Sequence, residues 1–237
     1  MDRYRYAIGE RVLGDPDSAL RFDQPWTGTP PASLDQPLRL VERRGCDPRP
    51  VDPTTTDGQL TLTSYVWADW AERIDRLRAA LRVAAPTPPP VDRARAAAWL
   101  PAQLAASRPG TVTVVWHSVV WQYLDRDERS AIRSMLGEAA AAATPVAPVA
   151  HLAFEPRRDA DDSLRFELTL SLSPGTGEEQ LLARAPGHGI PTRWATDPVP
   201  GDAGQRGSSR PGRGYRDCAT TSHCGGSRGA GQGTAPG

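Results

Sequence analysis

The sequence predicts an α/β domain built on a mostly parallel sheet and closed by a C-terminal antiparallel hairpin. Three observations predict it. Thr111–His117 (TVTVVWH) is almost wholly β-branched or aromatic, and such unbroken apolarity marks a strand buried on both faces. Amphipathic helical patterns stand before and after it, in the alternation that gives parallel sheets with right-handed crossovers. Leu164, Phe166, Leu168, Leu170 and Leu172 then alternate with polar residues, the period of a strand with one wet face.

Taken in chain order, Ala7 to Pro37 is rich in Pro, Gly and Asp and reads as irregular structure, with Trp26 as an anchor. Leu38–Val41 (LRLV) is short and apolar, consistent with a strand. It runs into ERRGCDPRPVDPTTTDG, whose prolines and aspartates enforce a loop. Trp70, Ile74, Leu77, Leu81 and Ala84 fall at helical spacing and predict a helix over Asp69–Ala84. The prolines of APTPPP stop it, because each lacks an amide donor and locks φ. Asp92 is the expected N-cap of a second helix through Ala106, kinked or restarted near Pro101.

After Thr111–His117, Asp125 with Glu128 three residues on makes a capping-box-like start. Ile132, Met135, Leu136, Ala139 and Ala143 supply the stripe of that helix, and Pro145 and Pro148 end it. Val149–Phe154 (VAHLAF) is a further short strand. Leu164–Leu172 and Gln180–Ala185 pair as a hairpin across SPGTGEE. Beyond about Ala195 apolar content collapses into Gly, Ser, Arg, Pro and Thr. Such a segment buries too little surface to offset its ordering entropy. The expected organisation is one partial α/β domain over 1–194 and a disordered low-complexity tail over 195–237, whose composition also resembles a high-GC gene read out of frame.

Composition narrows the function classes. Basic and acidic side chains balance at 28 each, which argues against a nucleic-acid binder driven by phosphate neutralisation. Every basic residue is Arg, and Lys and Asn are absent, the mark of a GC-rich gene. Cys46, Cys218 and Cys224 are odd in number and scattered, so a disulfide framework is not expected and a reducing cytoplasm is the default. No apolar leader and no run of about 18 apolar residues is present, so no membrane association is expected. Nothing sets the oligomeric state.

Ligands of open parallel sheets sit beyond the carboxyl ends of the strands, which is where His117 and Ser118 fall. One reading makes His117 a polar contact or general acid–base for a small-molecule ligand. The other makes it a strand-end histidine hydrogen-bonded locally, with Trp116, Trp121 and Tyr123 as core. Ser118 cannot be its nucleophile, since neighbouring strand residues point to opposite faces. Asp47 and Asp52 follow a strand, where an acid can bind ribose hydroxyls. Against that, Asp-Pro stretches simply make turns, and the accompanying glycine loop is absent. Gly187-His188-Gly189 with Arg193 and Trp194 reads as a turn with an aromatic plug. Cys218, His223 and Cys224 match no zinc spacing, so no metal site is expected.

The segments MDRYRYAIG, VLGDPDS, GCDPRPVDPT, ERIDRLRAAL, TVTVVWHSVVWQYL, VAHLAFEP and LLARAPGHG…RW closely resemble a bacterial domain-of-unknown-function family, number 2332, abundant in actinobacteria. The resemblance covers Met1 to Trp194 and carries no established activity. It implies a Rossmann-like, methyltransferase-like fold, with S-adenosylmethionine as the cofactor of full-length relatives. On that analogy Asp47 or Asp52 is cofactor-binding, near the ribose, and His117 is catalytic, at the mouth of the substrate cleft. It also implies that the first, central strand and its glycine loop precede Met1. The expected alternatives are therefore a methyltransferase-like protein with an incomplete cofactor site and a non-catalytic or degenerate module.

Overall fold

The computed structural model describes residues 3–29, 34, 36, 38–106, 108–158 and 162–195. The expected tail, with Cys218, His223 and Cys224, lies outside the described residues.

Three separate sheets replace the expected parallel one. The largest has six strands: β4 (Trp26–Thr27), β7 (Thr113–Ser118), β8 (Val149–Arg158), β9 (Leu164–Ser173), β10 (Gln180–Ala185) and β11 (Thr192–Trp194). Their spatial order is β4-β11-β10-β9-β8-β7. The pairings β8–β9, β9–β10 and β10–β11 are antiparallel, and only β7–β8 and β4–β11 are parallel. A mostly parallel Rossmann-like sheet is thus not what this chain forms. The expected hairpin is present as β9 and β10.

Among the described residues β7 pairs with β8 alone and stands at the rim of the sheet. Its burial alternates along its length: Val114 and Trp116 are 52% and 53% exposed, while Thr113, Val115 and His117 are half-buried. The β-branched run reflects β-propensity, which an edge strand satisfies as well as a central one. Thr113 donates its amide to Pro148 and Val119 to Phe154, so the odd positions bond β8. The amides of Val114, Trp116 and Ser118 therefore face outward, by the strand alternation.

The segment read as irregular holds β2 (Arg11–Gly14), β3 (Arg21–Asp23) and the end of β1 (Arg5–Ile8), a second sheet in the order β2-β1-β3. Gly9, at φ +59°, turns β1 into β2. These strands are too short for periodicity to reveal. An aromatic ladder ties them to the main sheet: Phe22 on Tyr6, Tyr6 on Trp26 and Trp26 on Trp194, with ring centroids 5.2, 5.4 and 5.8 Å apart. Trp194 was expected in a turn; it closes β11 instead.

Leu38–Val41 forms no ladder, and Leu38, Leu40 and Val41 are exposed. The strand lies a few residues on, as β5 (Gly45–Asp47), paired in parallel with β6 (Val91–Arg93). Asp92 consequently sits in β6 and caps nothing. It accepts hydrogen bonds from Trp99 Nε1 at 2.7 Å and from Arg44.

Four helices complete the described chain. Helix α1 (Thr56–Ser64) had no apolar stripe to announce it; Thr55 caps it, accepting from the Gly58 amide. Helix α2 (Ala71–Ala84) follows the predicted stripe. Helix α3 (Ala96–Leu104) contains Pro101, and its N-cap is Arg95 rather than Asp92. Helix α4 (Arg126–Ala142) starts as expected, with Asp125 accepting from the Glu128 amide at 2.8 Å. The reciprocal half of the capping box is not formed, because Glu128 turns to Arg95 and the Ala97 amide. That pairing draws α3 and α4 together over Leu100, Trp121 and Ile132, the buried core, with Val115 of β7 packed against it.

Candidate functional site

His117 and its neighbours on the core side of β7 and β8 form an interconnected polar group. By strand alternation His117 shares that face with His151, Ala153 and Glu155 of β8. The parallel register sets Val115 beside His151 and His117 beside Ala153. His117 therefore lies between His151 and Glu155 and reaches both.

The contacts are short. His117 Nδ1 is 2.7 Å from Glu155 Oε1, and His117 Nε2 is 2.9 Å from His151 Nε2. Glu155 is an acceptor when ionised, so Nδ1 of His117 carries the proton. With His117 neutral, its Nε2 then has only a lone pair, and His151 Nε2–H must be the donor. A directed chain results: His151 donates to His117, which donates to Glu155. The His117 ring also stacks on Trp121 at 5.3 Å and 21°. Arg133 covers Trp121, with its guanidinium 5.1 Å from the ring centroid.

The backbone after β7 is bent to serve Glu155. Val119 takes φ +51°, a left-handed value that β-branched residues rarely adopt. The chain then enters a single 3₁₀ turn, Trp121–Tyr123. The amides of Val120 and Trp121 both point at Glu155 Oε1, at 3.1 and 3.3 Å. One carboxylate oxygen thus receives two backbone donors and a histidine. Glu155 is only 8% exposed, and its second oxygen, Oε2, is buried with no hydrogen-bond partner. Three donors to an ionised oxygen offset much of the desolvation that burial imposes.

Burial, followed by the positive charge His117 can carry, pushes the His151 imidazole down to about 4; Glu179 opposes the shift. His151 is therefore neutral near pH 7 and serves as donor through Nε2. A carboxylate that fixes a histidine tautomer and favours its protonated form is the usual support of a general acid–base.

Asp47 and Asp52 are not brought to this group. Asp47 Oδ1 accepts from the Arg49 amide at 2.6 Å, closing its own turn. Asp52 Oδ1 accepts from the amide and hydroxyl of Thr54 at 2.8 and 2.6 Å, and these bonds hold its carboxyl below the usual range. Asp47 ends β5 and Asp52 lies in the loop that follows; both are exposed and satisfied locally. The loop from β5 to α1, residues 48–55, contains no glycine. The described residues accordingly do not fit S-adenosylmethionine.

Glu155 escaped sequence reasoning, and His151 was seen only as part of a strand. One signal was present: the H-x-x-x-E spacing of His151 and Glu155 puts both on the same face of a strand. What sequence could not supply was the parallel register that sets His117 between them. His188 lies elsewhere, against Trp70 and Arg73. Among the described residues no group of three His, Cys, Asp or Glu side chains is placed to hold a metal ion, and no helix is long and apolar enough to cross a membrane.

Comparison with curated proteins and with solved structures gives no match. The sequence model of one bacterial family does match, over residues 1–194, and its description reads "uncharacterized protein conserved in bacteria". The seven segments that suggested a resemblance all fall inside that match, and the chain belongs to the DUF2332 family.

Proposed function

We propose that the chain binds a small molecule at the carboxyl end of β7 and moves a proton there, with His117 as general acid–base. Glu155 is its positioning residue. The observation that carries this reading is the directed chain from His151 through His117 to Glu155, backed by two amides aimed at the same carboxylate oxygen. In this scheme a substrate N–H or O–H displaces His151 from His117 Nε2 and gives up its proton there. The resulting imidazolium is stabilised by Glu155, and His151 is left as a neutral dipole beside it. General acid–base assistance of this kind contributes about 10²- to 10⁴-fold in rate.

Methyl transfer, the reaction class implied by the family resemblance, needs such a base to take the acceptor's proton. Its cofactor finds no fitting set of groups among the described residues.

A second reading is favoured by one observation: both ring nitrogens of His117 already have protein partners. Under it the trio is a structural clasp holding the rim strand and the turn after it, in a non-catalytic module. Hydrolysis of p-nitrophenyl acetate, a generic probe of accessible imidazole, separates the two. The acid–base reading predicts that His117→Gln lowers the rate about tenfold or more, with Glu155→Gln intermediate. Equal rates in wild type and His117→Gln, with a lowered unfolding midpoint in the variant, establish the clasp instead.

A further inference from the structure

A second site is written in the cleft between β3, α2 and the segment His188–Pro191. The cleft encloses about 1060 Å³, at the upper end of what small-molecule sites occupy. Two arginines of α2, one helical turn apart, look into it: Arg73 and Arg76. The Arg73 guanidinium lies 5.1 Å from the Trp70 ring centroid, and its Nη1 donates to His188 Nδ1 at 3.0 Å. Arg76 lies 5.6 Å from the Phe22 centroid. Neither has a carboxylate partner among the described residues.

No acid of the lining forms an ion pair with Arg73 or Arg76 among the described residues. Asp23 is paired with Arg5 and Asp75 with Arg78, both partners standing outside the lining. Asp69 and Glu72 remain, exposed at the start of α2, where they complement the helix dipole. Because arginine only donates, His188 must accept through Nδ1, so its neutral ring carries the proton on Nε2. His188 thus brings a further donor and no added charge.

A cation–π contact holds each guanidinium beside a ring, and a guanidinium so held can receive an oxyanion in bidentate fashion. Phe22 has Tyr6 stacked on it and Arg76 over it. Trp70 has Arg73 over its ring and His188 perpendicular to it at 4.8 Å, yet keeps 38% of its surface exposed. That surface is open to a planar group.

We infer that this cleft binds an oxyanion carried on an aromatic ring, the oxyanion on Arg73 and Arg76 and the ring against Trp70. The inference is independent of the His117 site. Titration calorimetry of the full chain with inorganic phosphate, phenyl phosphate and benzoate tests it. Phenyl phosphate is expected to bind at least about tenfold tighter than inorganic phosphate, an advantage that Trp70→Ala removes. Benzoate binding more tightly than phenyl phosphate assigns the site to carboxylates, and the reverse order to phosphates. Arg73→Gln/Arg76→Gln is expected to weaken every binding probe about tenfold or more in a chain that still unfolds cooperatively. Should that variant lose its fold, Arg76→Gln alone serves, since among the described residues Arg76 makes no hydrogen bond that it would break. No heat from any probe at about 10 mM, or equal affinity in the folded arginine variant, overturns the inference.

Discussion

Acidification from neutral pH to about 4 tests the buried histidine pair through stability. The His151 imidazole is held at about 4 against an ordinary 6.5. The unfolded chain therefore binds more protons than the folded one throughout that window. Stability contributed by His151 is fully present above 6.5 and is lost as the pH falls toward 4. A shift of this size amounts to about 3 kcal/mol at full weight, and to about 2 kcal/mol once screening at a partly exposed ring is allowed for. The assay is urea unfolding at a series of pH values, in wild type and in His151→Gln. Glutamine keeps an N–H donor for His117 but does not titrate in this range. Wild type is expected to lose about 2 kcal/mol more than the variant across the window. Asp52, Asp92 and Asp125 do not confuse the reading, because each is held below its ordinary 3.8 and loses its contribution at lower pH. Parallel stability curves for the two proteins would refute the burial argument.

Other perturbations follow from the same contacts. Glu155→Ala removes a charge-assisted bond to His117 and strands the Val120 and Trp121 amides, so it should cost about 3 kcal/mol in urea unfolding; a loss under about 1 kcal/mol contradicts the part given to Glu155. Two glycines should respond oppositely to alanine. A Cβ on Gly58 would meet the Asp52 carbonyl oxygen at 1.7 Å, so Gly58→Ala should destabilise by about 2 kcal/mol. Gly137, in α4, has nothing within 4 Å, so Gly137→Ala should stabilise by about 1 kcal/mol, read from the same midpoints. Trp116→Lys should change stability by no more than about 0.5 kcal/mol, since its ring is half-exposed on a rim strand; an interior strand would lose several times as much.

Helices with a clear apolar stripe were legible, and so was strict alternation. The α2 stripe from Trp70 to Ala84, the Asp125 cap of α4, and the β9–β10 hairpin all stand where periodicity and turn chemistry put them. Pairing was not legible. Thr111–His117 has the composition of a central strand, and only long-range register reveals that β8 is its one neighbour. The strands β1 to β4 span two to four residues each, below the length at which alternation can be counted. Asp92 looked like a helix cap because Pro90 precedes it and an alanine-rich run follows. Its bond to Trp99, a tertiary contact, fixes it in β6 instead. At the candidate site His117 stood out in the sequence by its place at a strand end, and the structure gives it local partners in Glu155 and His151. Glu155 was hidden, because a single carboxylate before a proline carries no local sign of burial.

Histidine ring tautomers, read by long-range ¹H–¹⁵N correlation NMR at a pH where both rings are neutral, bear most directly on the site. The account predicts that His117 is protonated on Nδ1, bonded to Glu155, and that His151 is protonated on Nε2, bonded to His117. A His117 ring protonated on Nε2, or one averaging freely between tautomers, would contradict it.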